Sequence, residues 1–366
     1  ERLTGPQLSF NFTIRTTLRG GEKMKRFKLV SFLLIIIVLL VGCGSTQNGS
    51  PTGSTIGAEP ITLRFSVQQP INSPAHKSAL RIKEIVEEQT DGEIMIDIYP
   101  AGQLGDWIQV YDELMMGTID IANTSVPDTY NPQMAAGFLP YLAYDYEELR
   151  KVFAPDSFLV SAMDDIQAEQ NIKFLGYFCD GFCGVASNKD VKNANVSNTD
   201  KGILIRVPGV DAWKLPFDRL GFRTSTIPYA DVYAAMQTGV VDGFTGTPPY
   251  IVYEGYRDVV DQYYVYNVVH ESTQLLMSFQ SWNKLTEEQQ QILQSAFAEE
   301  AAKSIDISEK NDQEYIDKME EAGMKVVKFT DQEMQALAED VRTNVWAQLE
   351  DEYTLEFLNG LRQSIE

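Results

Sequence analysis

The chain is poor in the residues that most catalysis and metal binding require. Its 366 residues hold two histidines, His76 and His270, and three cysteines, Cys43, Cys179 and Cys183. No His-Glu-x-x-His pair, phosphate-cradling Gly-x-x-x-x-Gly-Lys-Ser/Thr loop, Gly-x-Ser-x-Gly elbow or dinucleotide glycine fingerprint is present. Those absences argue against an enzyme and leave no cofactor or metal to expect. His76 falls in the first turn of a predicted helix and reads as a capping or solvated side chain. The carboxylate pairs Glu87-Glu88, Glu287-Glu288 and Glu299-Glu300 fall off the apolar stripes of predicted helices and read as solvated faces. Positive charge is scarce as well, with 30 Lys and Arg against 52 Asp and Glu and a net charge of −22. Seven of the basic but only two of the acidic residues lie in residues 1–42, so the remainder is more acidic still. A field of that sign excludes nucleic acid as a partner, and it obliges any anionic ligand to find a specific local cation.

One apolar run stands out, residues 29–41, interrupted by Ser31 and preceded by Lys25, Arg26 and Lys28. It is short for a membrane span, which needs about 20 residues, and fits a secretory signal. Leu40-Val41-Gly42-Cys43 then matches a bacterial lipobox, with Cys43 as the acylated residue; an ordinary signal with a chance cysteine is the alternative. We read residues 1–23, upstream of Met24, as an over-extended reading frame and residues 24–42 as a lipoprotein signal peptide. Residues 43–60, rich in Gly, Ser, Thr and Pro, read as a flexible tether. The expected location is the outer face of the cell membrane, or the periplasm.

The rest alternates strand and helix. Strands are predicted over 61–67, 93–99, 118–122, 172–178, 264–269 and 273–279, and helices over 74–90, 107–116 and 145–170. A chain-long helical tail includes residues 287–324, with no proline and no glycine before Gly323. Short strand–helix units of this kind mean α/β with a largely parallel sheet. Tyr111-x-x-Leu114-x-x-Gly117-x-Ile119-Asp120 recurs as Tyr233-x-x-Met236-x-x-Gly239-x-Val241-Asp242. Each copy ends a helix at a glycine and feeds a short strand toward small polar residues. Two such units suggest two lobes facing each other across a cleft, with ligand at the carboxyl ends of strands. Arg206 ends the strand Ile203-Leu204-Ile205-Arg206, faces a Gly/Thr/Pro loop, and is placed either to hold an anion or to pair with a neighbouring carboxylate. Cys179 and Cys183 either pair in a turn or remain separate thiols.

At Ile205-Arg206-Val207-Pro208 and Gly239-Val240-Val241-Asp242-Gly243 the sequence resembles the extracytoplasmic solute-binding proteins of TRAP transporters, the DctP family. The likeness extends to Tyr99-Pro100-x-x-Gln103-Leu104-Gly105 and Leu139-Pro140-Tyr141 and covers residues 61–350. It implies a two-lobed periplasmic-binding-protein-like fold: lobe I over 61–180 with return segments 264–285, lobe II over 181–263. Residues 286–366 would supply a long helix spanning both lobes and C-terminal helices. It also implies capture of a small organic acid and delivery to a sodium-coupled permease. By resemblance Arg206 grips the ligand carboxylate, a role its planar fork suits. Tyr229, Thr245, Gly246 and Thr247 join it from lobe II, and Gln69, Trp107 and Ser125 from lobe I. Where many members carry a second cationic or polar ligand residue, this chain has Phe182 and Cys183. With Trp107, Tyr229 and Phe244 as aromatic walls, that favours a monocarboxylate, aromatic or keto acid, over a C4-dicarboxylate. A ligand-sensing accessory protein of the same fold, and a secreted enzyme or structural lipoprotein, are the alternatives.

Overall fold

The computed structural model of the protein describes residues 59–365; the expectations for residues 1–58, Cys43 included, lie outside them. The first half opens with β1 (Ile61–Val67), α1 (Pro74–Gln89), β2 (Ile94–Tyr99), α2 (Trp107–Met116) and β3 (Ile121–Thr124). Local chemistry sets these boundaries. The Ser73 hydroxyl accepts from the His76 N–H at 3.1 Å, with Pro74 at the first helical position. Asp106 caps α2, and Gly117, at φ 72°, closes it in the left-handed conformation. β3 begins later than predicted, because the Thr118 N–H still bonds back to the Glu113 carbonyl. Instead of the single helix expected over 145–170 there are two, α3 (Tyr146–Val152) and α4 (Phe158–Glu169). Pro155 lies between them, lacking an N–H and restricting its predecessor.

Next come β4 (Ile172–Ser187), β5 (Leu204–Val207), α5 (Asp211–Leu220), β6 (Arg223–Thr226), α6 (Val232–Gln237), β7 (Gly243–Phe244), α7 (Pro249–Tyr256) and β8 (Gln262–Ser278). The chain finishes with α8 (Phe279–Trp282), α9 (Glu287–Glu321), β9 (Lys325–Val327), α10 (Asp331–Val345), α11 (Glu350–Tyr353) and α12 (Leu355–Ile365). The sheet order is β2-β1-β3-β8-β4-β7-β5-β6, with β9 on β8. β1, β2 and β3 are mutually parallel, as are β5, β6 and β7, and the antiparallel ribbon of β4 and β8 joins the two triplets. The architecture is therefore two-lobed mixed α/β.

The ribbon departs from expectation. Sequence pattern ended the first strand at 178 and split the second between 269 and 273, yet both run unbroken. Pairing extends from Ile172 opposite Ser278 to Ser187 opposite Gln262, with register slips at Phe174/Gly176, Cys179/Gly181 and Cys183/Val185. Such bulges bend a ribbon without ending it, and Gly176 and Gly181, at φ 140° and 127°, supply the backbone freedom.

α9 runs 35 residues from a Thr286/Gln289 capping box. It packs against α1 in one lobe and α7 and β9 in the other. Its Glu300, read from sequence as part of a solvated pair, is 0% exposed and held by the Arg81 guanidinium at 2.6 Å. Arg81 belongs to α1, which packs along this helix, whereas the neighbour of Glu300, Ala301, faces Gly176 of β4. α10 is tied to both lobes as well, through Asp340 to Arg219 of α5 at 2.5 Å and through Arg342 to Glu148 of α3 at 2.7 Å.

Candidate functional site

Arg206 lies on β5, opposite Ser225 of β6 and Phe244 of β7. It is 4% exposed. Its Nε donates to the Ile227 carbonyl at 2.8 Å and Nη1 to the Thr245 carbonyl at 3.0 Å, leaving Nη2 without a partner among the described residues. Burial lowers its pKa, and the ionisable groups near it are the Tyr256 and Tyr229 hydroxyls rather than any carboxylate. A guanidinium stays charged even so. Among the described residues, the structural ion pair that competed with anion binding thus has no acid to complete it.

The loop after β7 is built around this fork. The Thr245 N–H donates to the Arg206 carbonyl at 3.1 Å, and its hydroxyl donates to the Gly184 carbonyl of β4 at 2.7 Å. Gly246 has φ 104°, and a Cβ there would meet Arg206 Nη1 and Pro208 Cγ at 3.0 Å each, so only glycine fits without strain. Thr247 is buried with its Oγ1 unpartnered. Tyr229 opens a short 3-10 turn and is 52% exposed. Tyr256 has its pKa raised by burial and by the neighbouring Tyr229 hydroxyl, against the pull of Arg206.

The lobe I residues form a separate group at the carboxyl ends of β1 and β3. Gln68 Oε1 accepts from the Ser125 N–H at 2.8 Å and from the Thr124 hydroxyl at 3.1 Å. Gln69 beside it is buried with its Oε1 unpartnered. Trp107 begins α2 and is 36% exposed. Among the described residues no hydrogen bond joins this group to Arg206. Phe182 and Cys183 lie on the ribbon between. The Phe182 ring is edge-on to Tyr146 and His270, at 4.9 and 5.1 Å, and its N–H donates to Asp312 at 2.9 Å. Cys183 and Cys179 are buried free thiols, and Cys179 Sγ lies 2.7 Å from His270 Nε2. Phe244, expected on an aromatic wall, is instead buried against Tyr256 at 4.5 Å between ring centres. A groove of about 700 Å³ between α4 and α9 contains none of the expected residues; Phe174, Tyr177, Ala301 and Ile305 line it.

Sequence reading missed three carboxyls at the ribbon. Burial pushes Asp180 up to about 6. Glu271 rises to about 8 through burial and then the nearby Asp180. Burial pushes Asp312 to about 7, against hydrogen bonds from Tyr146 and the Phe182 N–H. Only the setting of Asp180 within a run of apolar residues hinted at this. Among the described residues no three of His, Cys, Asp or Glu converge as a metal site would require.

Residues 65–352 match the family described as bacterial extracellular solute-binding protein, family 7 (DctP). The sialic acid-binding periplasmic protein SiaP of Vibrio cholerae is 28% identical over 238 residues, 64% of this chain and 73% of that one. The C4-dicarboxylate-binding periplasmic protein DctP of Rhodobacter capsulatus is 25% identical over 294 residues, 79% and 86% of the two chains. A TRAP periplasmic solute-binding protein of Ochrobactrum anthropi, solved with its C-terminus in the ligand-binding pocket, shares the fold. It superposes with a TM-score of 0.75 at 20% identity, covering 84% of this chain and 95% of that one.

Proposed function

The chain belongs to the DctP family of bacterial extracellular solute-binding proteins, and from that premise we propose that it captures a small organic acid between its lobes, with Arg206 gripping the carboxylate. The observation that carries this reading is a buried guanidinium with two nitrogens fixed by carbonyls, a third unpartnered, and no carboxylate beside it. Burying such a charge unpaired is costly, and a ligand carboxylate would offset that cost. Tyr229, Thr245, Gly246 and Thr247 surround the same fork, while Gln69, Trp107 and Ser125 would meet the ligand from lobe I. Cys183 is a buried thiol at a place where a cationic residue could have met a second carboxylate, which favours a monocarboxylate over a C4-dicarboxylate. The bound acid would pass to the membrane subunits of a sodium-coupled TRAP permease, with the protein held at the membrane by a lipid on Cys43.

A thermal-shift screen against a carboxylate panel tests this. A ligand at about 100 times its Kd stabilises by roughly 2.7 kcal/mol. Arg206→Ala should abolish the shift, and Arg206→Lys should remove most of it, since a point charge cannot replace a bidentate fork. Unchanged binding in Arg206→Ala would refute the assignment.

A further inference from the structure

Residues 245–250 connect two charged groups of opposite sign that do not neutralise each other. At one end the Thr245 carbonyl accepts from Arg206. At the other the Tyr250 hydroxyl donates to Asp180 Oδ2 at 3.4 Å, and Pro248 packs against Gly181, where an added Cβ would lie 2.9 Å from it. Between them is the unpartnered hydroxyl of Thr247. Tyr229 neighbours both ends: its hydroxyl acts on Arg206 and on Tyr250, and Tyr250 in turn feels Asp180 and Glu271.

Asp180 is 3% exposed, and its Oδ1 has no hydrogen-bond partner. Glu271 stands opposite the next residue of β4, Gly181. Asp312 of α9 adds a second buried carboxyl, also with Oδ1 unpartnered. No cation of the described chain acts on any of the three. A folded chain usually pairs buried charges with each other. Here, among the described residues, it keeps a guanidinium without an acid at one end of residues 245–250 and a carboxyl without a base at the other, which leaves both for something else to satisfy.

We propose that the ligand is a zwitterion, a carboxylic acid that also carries a cationic nitrogen, with its carboxylate on Arg206 and its ammonium or guanidinium on Asp180, Glu271 alongside. This rests on Arg206 holding the carboxylate. A metal ion is a poorer occupant, because the carboxyls and their neighbours do not converge as a metal site would. A polyhydroxy acid could donate to Asp180 but would bring no positive charge opposite its carboxylate.

The test is isothermal titration of the protein with matched acids: L-phenylalanine against 3-phenylpropionate, 5-aminovalerate against valerate, and 4-guanidinobutyrate against butyrate. At least one nitrogen-bearing acid should bind ten-fold or more tightly than its partner. Asp180→Asn should erase that preference. The proposal is overturned if plain acids bind as well as their nitrogen-bearing partners, if no nitrogen-bearing acid binds, or if the preference survives Asp180→Asn. The wild-type comparison decides even if the variant fails to fold. Plain acids that bind equally, and lose binding in Arg206→Ala, would sink the zwitterion and leave the carboxylate reading intact. Binding that survives Arg206→Ala would sink the carboxylate reading itself.

Discussion

Gly246 and Arg206 constrain each other at the scale of single residues. The loop must bring the Thr245 carbonyl to Nη1, and the next residue then turns at φ 104° with no room for a side chain. Gly246→Ala should therefore cost about 1–2 kcal/mol from the left-handed backbone alone, measurable by urea unfolding. The added methyl also pushes on the guanidinium, so carboxylate affinity should fall further than stability predicts. A Gly246→Ala protein that is destabilised yet binds normally would show that the fork does not hold the ligand. Arg206 drew attention in the sequence because it ends an apolar strand just before a proline and faces a Gly/Thr/Pro loop. Asp180, Glu271 and Asp312 were not, because nothing in a strand or helix period distinguishes a buried carboxyl from an exposed one.

At the scale of elements, the bent ribbon is held from outside by a helix. Where β4 slips register at Cys179/Gly181, α9 supplies the missing partners. Ser304 Oγ accepts from the Cys179 N–H and Ser308 Oγ donates to the Cys179 carbonyl, both at 2.8 Å. Removing either hydroxyl leaves a buried backbone group unpaired, a loss of about 1–3 kcal/mol. Ser304→Ala and Ser308→Ala should each lower the urea midpoint by that order, whereas Ser→Ala at an exposed site of the same helix, Ser295, should change little. Helix termini were readable here because Ser73, Asp106 and Thr286 are cap residues whose chemistry is local. The paired aspartates of the repeat also keep one job, since Asp120 accepts from the Arg64 N–H and Asp242 from the Leu204 N–H, each joining its unit to the adjacent parallel strand. The ribbon was not readable, because its glycines and polar residues resemble strand breaks unless the partner strand and α9 are known to be there.

For the whole molecule, the buried titratable groups set how stability follows pH. Asp180, Asp312 and Glu271 titrate near 6, 7 and 8 when folded, against ordinary values of 3.8, 3.8 and 4.5. Over that window the folded chain holds more protons than the unfolded one, so these groups lower stability as pH rises from about 4.5 to 8. His270 acts oppositely, held down to about 3 by burial from 6.5, so its contribution falls as pH drops below about 6.5. Three protons outweigh one across the overlap. Below the ordinary carboxylate range the sign reverses, because Glu87, Asp242, Glu300 and Asp340 have lowered values and lose their partners on protonation. The net charge of −22 adds self-repulsion that also grows with pH. The ligand-free melting temperature should thus peak near pH 5 and decline toward pH 8. Salt at about 0.5 M should recover only the repulsion, which it screens, and leave the buried share of the decline. Asp312→Asn, which removes one of the three groups, should flatten the decline between pH 6 and 8. A melting temperature that rises over that interval would mean the ribbon carboxyls are not protonated in the fold. Bound zwitterion should reverse the local trend, because a cationic nitrogen beside Asp180 and Glu271 favours their ionised forms, so ligand-induced stabilisation should grow from pH 6 to 8.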